Sequence, residues 1–283
     1  MSNKTAITVS TLWRYPAKSM MGEELNGTQI TMGGVLGDRS YALVDTATNK
    51  VVSAKNPKKW PNFFSFRAAY TAQPEIGTVQ PIWIALPNGT VLRSDQADIN
   101  QQLSSFLGSS VELATRAPES AKLEQYWPEY DGESNEISNE AVAGDAPQGS
   151  FFDYAALHLL TTGSINAMQK LYPEGRFEVR RFRPNIVIDT GDLSGFIEND
   201  WVGKTIRLGD SVRLRISDPC PRCVMPTLAQ GDLPDDNGIL KHAVLKNRPF
   251  VPFAGKELPS VGVYAQVIQA GWVKRGDSIV IED

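Results

Sequence analysis

Two cysteines and two histidines are all that 283 residues provide. That scarcity rules out a disulfide framework, which needs several cysteine pairs, and points to a reduced compartment. Charge of one sign is lacking too. Lysine and arginine number 28 against 32 acidic residues, a net charge of -4. No global field gathers nucleic acid or an anionic membrane, so any anion site has to be local. No run approaches the roughly 20 apolar residues needed to span a bilayer. The opening "MSNKTAITVSTLWRYP" has no apolar core of signal-peptide length. These absences lead to the expectation of a cytoplasmic protein whose ligands are small molecules, with no nucleic-acid or membrane partner. Nothing in the sequence demands more than a monomer.

What is present is mostly short β patterns. "SYALVD" and "KVVSA" flank a turn around Asn49. "PIWIALPNGTVLRS" reads as a hairpin, with Ile82, Ile84 and Val91 alternating about the tight turn Asn88-Gly89. In "KTIRLGDSVRLRIS" the residues Ile206, Leu208, Val212, Leu214 and Ile216 share one face. "WVKRGDSIVIED" closes the sequence as strand, turn and strand. Helices are few. One carries Ile99, Leu103, Phe106 and Leu107 on a face, started by Ser94 or Asp95 and stopped by Gly108. A second carries Ile165, Met168 and Leu171, with Ser164 as cap and Pro173 as stop. Residues 116–150 are acidic and lack periodicity, and read as a connection between two β domains. Tyr126, Trp127 and Tyr130 suggest that part of it packs down. The fold class is mainly β with a few helices (α+β).

Both cysteines lie in "SDPCPRCVMPT", as Cys220 and Cys223. A zinc site needs about four ligands, and only His158 and His242 are available besides the pair, neither at finger-like spacing. A thioredoxin-like pair should open a helix, and Pro226 argues against one. Two inert thiols at a strand end are a further reading. A thiolate beside Arg222 is favoured by the neighbouring charge. It could complete the coordination of a metal that arrives already chelated by an organic cofactor. Such a cofactor needs anion binders, and several segments offer them. Lys18 and Ser19 follow a strand in "RYPAKSM". Arg39 opens one in "GDRSYALVD". Thr161 and Thr162 precede a helix N-terminus in "LLTTGSI", and Arg183 and Asn185 stand before an apolar strand in "FRPNIVID".

Taken in order, these stretches resemble one family. "LWRYPAKSMMGEEL" through "GVLGDRSYALVD" resembles the N-terminal β-barrel domain that precedes MOSC domains. "LHLLTTGSINAM", "RFRPNIVID", "CPRCVMPT" and "GVYAQVIQAGWVKRGDSIVI" resemble a MOSC domain, shared with molybdenum-cofactor sulfurases and the mitochondrial amidoxime-reducing component. The resemblance implies an N-terminal β-barrel domain over 1–115, an acidic connecting segment over 116–150 and a MOSC β-barrel domain over 151–283. It also implies a molybdenum cofactor (molybdenum–molybdopterin) held between the domains. Cys223, after the arginine, falls on the metal ligand and catalytic position, while Cys220 is the more dispensable partner. Cofactor contacts fall on Lys18, Ser19, Arg39, Thr161, Thr162, Arg183, Asn185, Arg222 and Tyr264. Pro221 stands where some relatives have a serine, so a hydroxyl contact is missing there.

The activity implied is an oxidoreductase acting on N-hydroxylated small molecules. Its electrons would come from a separate donor protein, since no cysteines remain for an iron–sulfur cluster. The alternative is a cofactor carrier or sulfur-handling protein. The sulfurase version is weakened because the pyridoxal-phosphate-binding desulfurase domain is not in this sequence. A third reading is a scaffold that has lost its cofactor, and the retained lysine, arginine, asparagine and cysteine positions argue against it. "QGDLPDDNGILKH" reads as a loop near the metal, with Asp232, Asp235 and Asp236 facing substrate or water.

Overall fold

A computed structural model describes residues 6–127 and 137–282. Its centre is one eight-stranded sheet. The strands are β1 (Thr8–Arg14), β2 (Glu23–Leu25), β3 (Leu157–Thr161), β4 (Ile186–Asp189), β5 (Thr205–Leu208), β6 (Val212–Pro221), β7 (Ser260–Gln269) and β8 (Ile279–Glu282). They lie in the order β2-β1-β4-β3-β7-β6-β5-β8. β3 and β4 run parallel, and the other neighbours are antiparallel. Alternation explains β5 and β6: Ile206, Leu208, Val212, Leu214 and Ile216 are all fully buried, while Arg213 and Arg215 point to water. β3 is covered on both faces, so its sequence "LHLLT" shows no alternation.

The first strand crosses the length of the sequence to reach its partner. β1 pairs with β4, setting Leu12 opposite Ile186. The strand Gly27–Thr31 pairs with Gly271–Lys274. The closing segment thus forms its two strands, but they do not pair with each other: β8 adds to β5 instead.

The second core belongs to residues that follow β1. Strands Ala42–Asp45, Lys50–Val51 and Val111–Ala114 make one small sheet, and Arg67–Tyr70, Ile82–Ala85 and Val91–Arg93 make another. Trp60, Phe63, Phe64, Phe66, Ile82, Ile84 and Leu103 pack together there, and Cys223 joins the same cluster from across the molecule. The Asn88-Gly89 hairpin differs from expectation by one residue. Leu86 N–H donates to Thr90 O at 2.8 Å, and this longer loop sets Leu92 opposite Ile84. Leu92 is therefore the buried partner, and Val91 is 56% exposed.

Helix α1 (Ile99–Leu107) starts after Asp98, later than Ser94 or Asp95, and ends at Gly108, whose φ of 63° suits a left-handed cap. Phe106 sits at its edge, with its ring tilted at 90° to that of Phe66. Helix α2 (Thr162–Leu171) is capped by Thr161, not Ser164. Thr161 Oγ1 accepts the Ser164 N–H at 3.0 Å. Leu171, expected on its apolar face, is 45% exposed.

Within 116–150, Lys122–Tyr126 and Ile137–Ala141 form an antiparallel hairpin. Its polar sequence hides the pattern, because only Leu123 and Gln125 of the first strand are buried. Tyr126 packs under the Lys58 ammonium, 4.6 Å from the ring centre. Trp127 Nε1 donates to Ser138 Oγ at 2.9 Å. Tyr130 lies outside the described residues. Among the described residues, no helix is long and apolar enough to cross a membrane.

Candidate functional site

A narrow cavity of about 90 Å³ lies where the two cores meet. It is lined by Lys18, Ser19, Arg39, Arg183, Asn185, Arg222, Cys223 and Tyr264, all foreseen from the sequence. Lys55, Asp153, His158 and Cys220 line it as well. Each position follows from the fold. Lys18 and Ser19 sit in the turn after β1, fixed by Lys18 N–H donating to Tyr41 O at 2.8 Å. Asn185 stands at the entry to β4, and His158 lies on β3. Cys220 lies one residue before the end of β6, and Tyr264 lies on the neighbouring β7. His158 approaches β7 closely because position 262 is glycine: a Cβ on Gly262 would meet His158 Nε2 and Leu159 O, each at 2.3 Å.

Thr161 and Thr162 are the exceptions, and neither lines the cavity. Thr161 is fully buried. Its hydroxyl donates to Glu198 Oε2 at 2.7 Å while it caps α2. Ser164 Oγ donates to the other Glu198 oxygen at 2.5 Å. Burial pushes the Glu198 carboxyl up, against these bonds. Thr162 faces Asp189 and Thr190 instead. The "TTG" hydroxyls thus hold the helix to the sheet.

Cations dominate the cavity. Lys18 Nζ is 2.5 Å from Asp153 Oδ1, and Lys55 Nζ is 3.0 Å from Oδ2. Asp153 therefore bridges two ammonium groups. Burial opposes its charge, but Lys18 and Lys55 hold its carboxyl well below the usual carboxylate range. Burial also pulls Lys18 down to about 8, against the attraction of Asp153. Lys55 further donates to Gln125 Oε1 at 2.7 Å, which ties the cavity to the hairpin.

Arg39 pairs with Asp38. Its guanidinium lies over the Tyr15 ring at 5.0 Å, and that of Arg183 lies over the same ring at 4.1 Å. Arg183 donates Nη1 to Met20 O at 2.8 Å, but its buried Nη2 has no hydrogen-bond partner among the described residues. Burial pulls Arg183 down to about 10, so it remains charged at neutral pH. Asn185 differs in its availability: its amide already donates to Asp38 Oδ2 at 2.9 Å and to Trp13 O at 3.3 Å.

The two thiols are both free and buried. Arg222 Nη1 donates to Cys220 Sγ at 3.1 Å. Burial raises the Cys220 thiol, but His158 and Arg222 outweigh it and draw it below its ordinary value. Tyr264 moves the opposite way, pushed up by burial and by Cys220. Cys220 therefore lines the cavity with its thiolate form favoured by these two neighbours. No group of three or more histidine, cysteine or acidic side chains able to hold a metal occurs among the described residues. A zinc reading of the pair has no ligand set there.

The loop after Cys223 turns its carboxylates away from the cavity. Asp232 binds Arg176 and Arg180, Asp235 accepts the Ala229 N–H, and Asp236 accepts from Tyr172 and the Gly238 N–H. What shapes this loop is Arg181, which the sequence reading passed over. It is fully buried, and its guanidinium donates to the carbonyls of Arg176, Pro226, Leu228 and Pro234 at 2.8–3.2 Å.

Comparison with known families agrees with this two-part arrangement. Residues 146–280 match the MOSC domain, and residues 6–118 match the MOSC N-terminal beta barrel domain. The chain belongs to the MOSC-domain proteins that carry this N-terminal domain. No curated protein matches it. Among solved structures, the YuaD protein of Bacillus subtilis aligns at 12% identity with a TM-score of 0.45, covering 98% of this chain and 96% of that one. YiiM of Geobacillus stearothermophilus aligns at 15% identity with a TM-score of 0.31, over 57% of this chain and 73% of that one. YiiM of Escherichia coli aligns at 18% identity with a TM-score of 0.30, over 46% of this chain and 55% of that one.

Proposed function

We propose that the protein is a molybdenum cofactor-dependent oxidoreductase that reduces N-hydroxylated small molecules. The observation that carries this reading is the company Cys223 keeps. A thiol able to ligate a soft metal lines a cavity rich in cationic side chains, and Arg183 Nη2 is buried there without a hydrogen-bond partner among the described residues. An unpaired buried donor costs about 1–3 kcal/mol, and an anionic ligand would remove that cost. The residues fit a phosphate-bearing pterin. Lys18, Lys55, Arg39 and Arg183 supply charge for the anionic end, and Arg222 and Tyr264 supply donors beside the cysteines.

When bound, the cofactor supplies the two-electron redox centre. The protein's own residues bind, orient and hold protons. Cys223 would serve as the protein's ligand to the metal. Arg222 holds Cys220 as a second, hydrogen-bonded sulfur in the same cavity. The overall conversion, R–NHOH plus two electrons and two protons to R–NH2 and water, takes its electrons from a separate donor protein. Tyr264 lines the same cavity with its hydroxyl held protonated by burial and by Cys220, and would supply a hydrogen-bond donor there.

The test is elemental analysis of protein purified from cells that make the cofactor, followed by single-turnover assays with a chemical reductant. Near-stoichiometric molybdenum is expected in wild type and in Cys220→Ser. Cys223→Ser should lose the metal or its thiolate-to-metal absorption, and turnover should fall at least 100-fold. Bound molybdenum that passes to an apoenzyme without any substrate turnover would instead establish the carrier reading. No molybdenum in wild type would sink both.

A further inference from the structure

The only two cysteines of the chain line the same cavity of about 90 Å³. Metal ligation needs one protein sulfur, and Cys220 is the second. We infer that Cys220 and Cys223 form a reversible disulfide when peroxide enters the cavity of metal-free protein, and that this bridge closes the site to metal. The inference deepens the reading of Cys223 as a metal ligand, but the bridge itself is tested without the metal.

The course of the backbone is the first reason. In a continuing strand, residues three apart face opposite sides. β6 stops at Pro221, one residue past Cys220, and the chain leads into the helical turn Met225–Thr227. Cys220 and Cys223 consequently line one cavity instead of two faces. Leaving the extended course between two such residues brings their Cα atoms toward the roughly 4.4–6.8 Å that a bridge requires. The thiols share surroundings as well, since Lys55 and Arg222 act electrostatically on both sulfurs.

The two sulfurs also differ in a way that assigns them roles. Arg222 Nη1 donates to Cys220 Sγ at 3.1 Å. A sulfur held by a cation is favoured as the thiolate, which is the attacking form. Cys223 packs instead in the apolar cluster with Met225 and Trp60, and is placed to act second. An attacking thiolate beside a resolving thiol is the arrangement of redox-sensing cysteines. Size selects the oxidant. Both cysteines are buried, and the cavity suits molecules near the size of water, each of which takes about 30 Å³. Hydrogen peroxide fits there, and bulky oxidants do not.

The chemistry runs in two steps. The Cys220 thiolate attacks one peroxide oxygen, the O–O bond breaks, and the leaving hydroxide takes a proton from solvent to become water. The Cys223 sulfur then attacks the Cys220 sulfenic acid. The S–S bond forms, the S–O bond breaks, and a second water leaves with the Cys223 proton. Two thiols are oxidised by two electrons, and the peroxide is reduced by two. A small dithiol reverses the bridge by two exchange steps. Cysteine binds metal as the thiolate, and the bridged pair has none to offer. Protein oxidised before metal insertion would therefore stay unloaded until reduced, while metal on Cys223 would withhold the resolving sulfur.

Scarcity makes the test direct, because a chain with two cysteines can form one internal bridge at most. Full-length protein from cells unable to make the cofactor is reduced, treated with one equivalent of hydrogen peroxide, denatured, alkylated and analysed by mass spectrometry. The expected product is monomeric, about 2 Da lighter, closed to alkylation at both cysteines, and open again after dithiothreitol. Cys223→Ser should stop at a Cys220 sulfenic acid that dimedone captures, and Cys220→Ser should react at least tenfold more slowly. Wild type that keeps both alkylation sites overturns the inference, as does Cys220 sulfinic acid beside a free Cys223, or a cross-linked dimer. Molybdenum-loaded wild type should form the bridge at least tenfold more slowly, and equal rates would overturn the competition for Cys223. A bridge that forms in a protein never found to carry molybdenum overturns the cofactor reading and leaves the disulfide standing.

Discussion

Ser19, Arg39 and Arg183 all adopt left-handed backbone, with φ of 62°, 49° and 53°. Such conformations cost on the order of 1–3 kcal/mol each for residues with a Cβ, and all three residues line the Cys223 cavity. Strain concentrated there is what a site built for ligand geometry shows. The side chains it aims are cationic, so a simple anion should bind, and Lys18 should govern how that binding varies with pH. Its ammonium is displaced down to about 8. It is therefore charged below that pH and neutral above it. Lys55 and Arg39 are displaced upward and stay charged. Sulfate, whose charge is constant, should bind at pH 7 and weaken as pH rises through 8 and beyond, the midpoint moving upward as the bound anion favours the ammonium. Lys18→Met should weaken sulfate several-fold at pH 7 and flatten that profile. Isothermal titration from pH 6.5 to 9.5 reads both. Much of this cavity was legible in sequence through the resemblance, because the stretches that carry Lys18, Arg39, Arg183 and Cys223 follow one another in the family's order. Lys55 and Asp153 were not. "SAKNPKKW" and "GSFFDYAA" carry no pattern that separates a buried ion pair from surface charge. The misplaced pair, Thr161 and Thr162, shows the converse error: hydroxyls before a helix suit an anion and a cap equally, and here Glu198 and the cap take them.

At the scale of elements, the loop after Cys223 owes its shape to one guanidinium. Arg181 bonds carbonyls at both ends of the stretch from Pro226 to Pro234. That stretch also covers Thr227 and Gln230, both buried. Arg181→Met keeps the apolar stem and removes every donor, leaving buried carbonyls unpaired at about 1–3 kcal/mol each where water cannot reach them. The expected outcome is selective: amide exchange accelerates at least tenfold across 226–234, while β3 and β7 stay protected. Mass-spectrometric hydrogen exchange distinguishes this from uniform loosening, which would mean that Arg181 supports the whole fold. Elements of this kind resist reading from sequence. The strands 205–208 and 212–216 were plain because burial on one face leaves a period of two. The 122–141 hairpin was not, because only two side chains of its first strand turn inward and its outer face is polar. The shifted partner of Ile84 came from a loop one residue longer than a two-residue Asn-Gly turn allows.

The molecule as a whole is closed by its first strand. Alternation in "AITVSTLWRYP" marks a strand but says nothing of its partner, which lies more than 170 residues on. β1 covers the edge of β4, with Val9 and Leu12 buried in the core that holds Ile186 and Ile188. Ile30, on the strand that pairs with Gly271–Lys274, is buried in the same core. Residues 146–280, although they match a family by themselves, therefore depend on the first thirty-odd residues for one sheet edge and part of their core. Removing those residues would bare an edge strand and apolar side chains, both of which promote aggregation. Two results should follow. A 146–283 fragment should aggregate, or lack a cooperative thermal transition. The full chain should unfold in urea as one transition, with far-ultraviolet and tryptophan signals superimposing, since Trp60 lies in one core and Trp201 in the other. Two separated transitions, or a fragment that melts cooperatively by itself, would mean that the halves are independent and that the cavity between them is held only by contact. A single transition would make the Cys223 cavity a product of the whole fold, positioned by a strand from one end of the sequence locked into a sheet from the other.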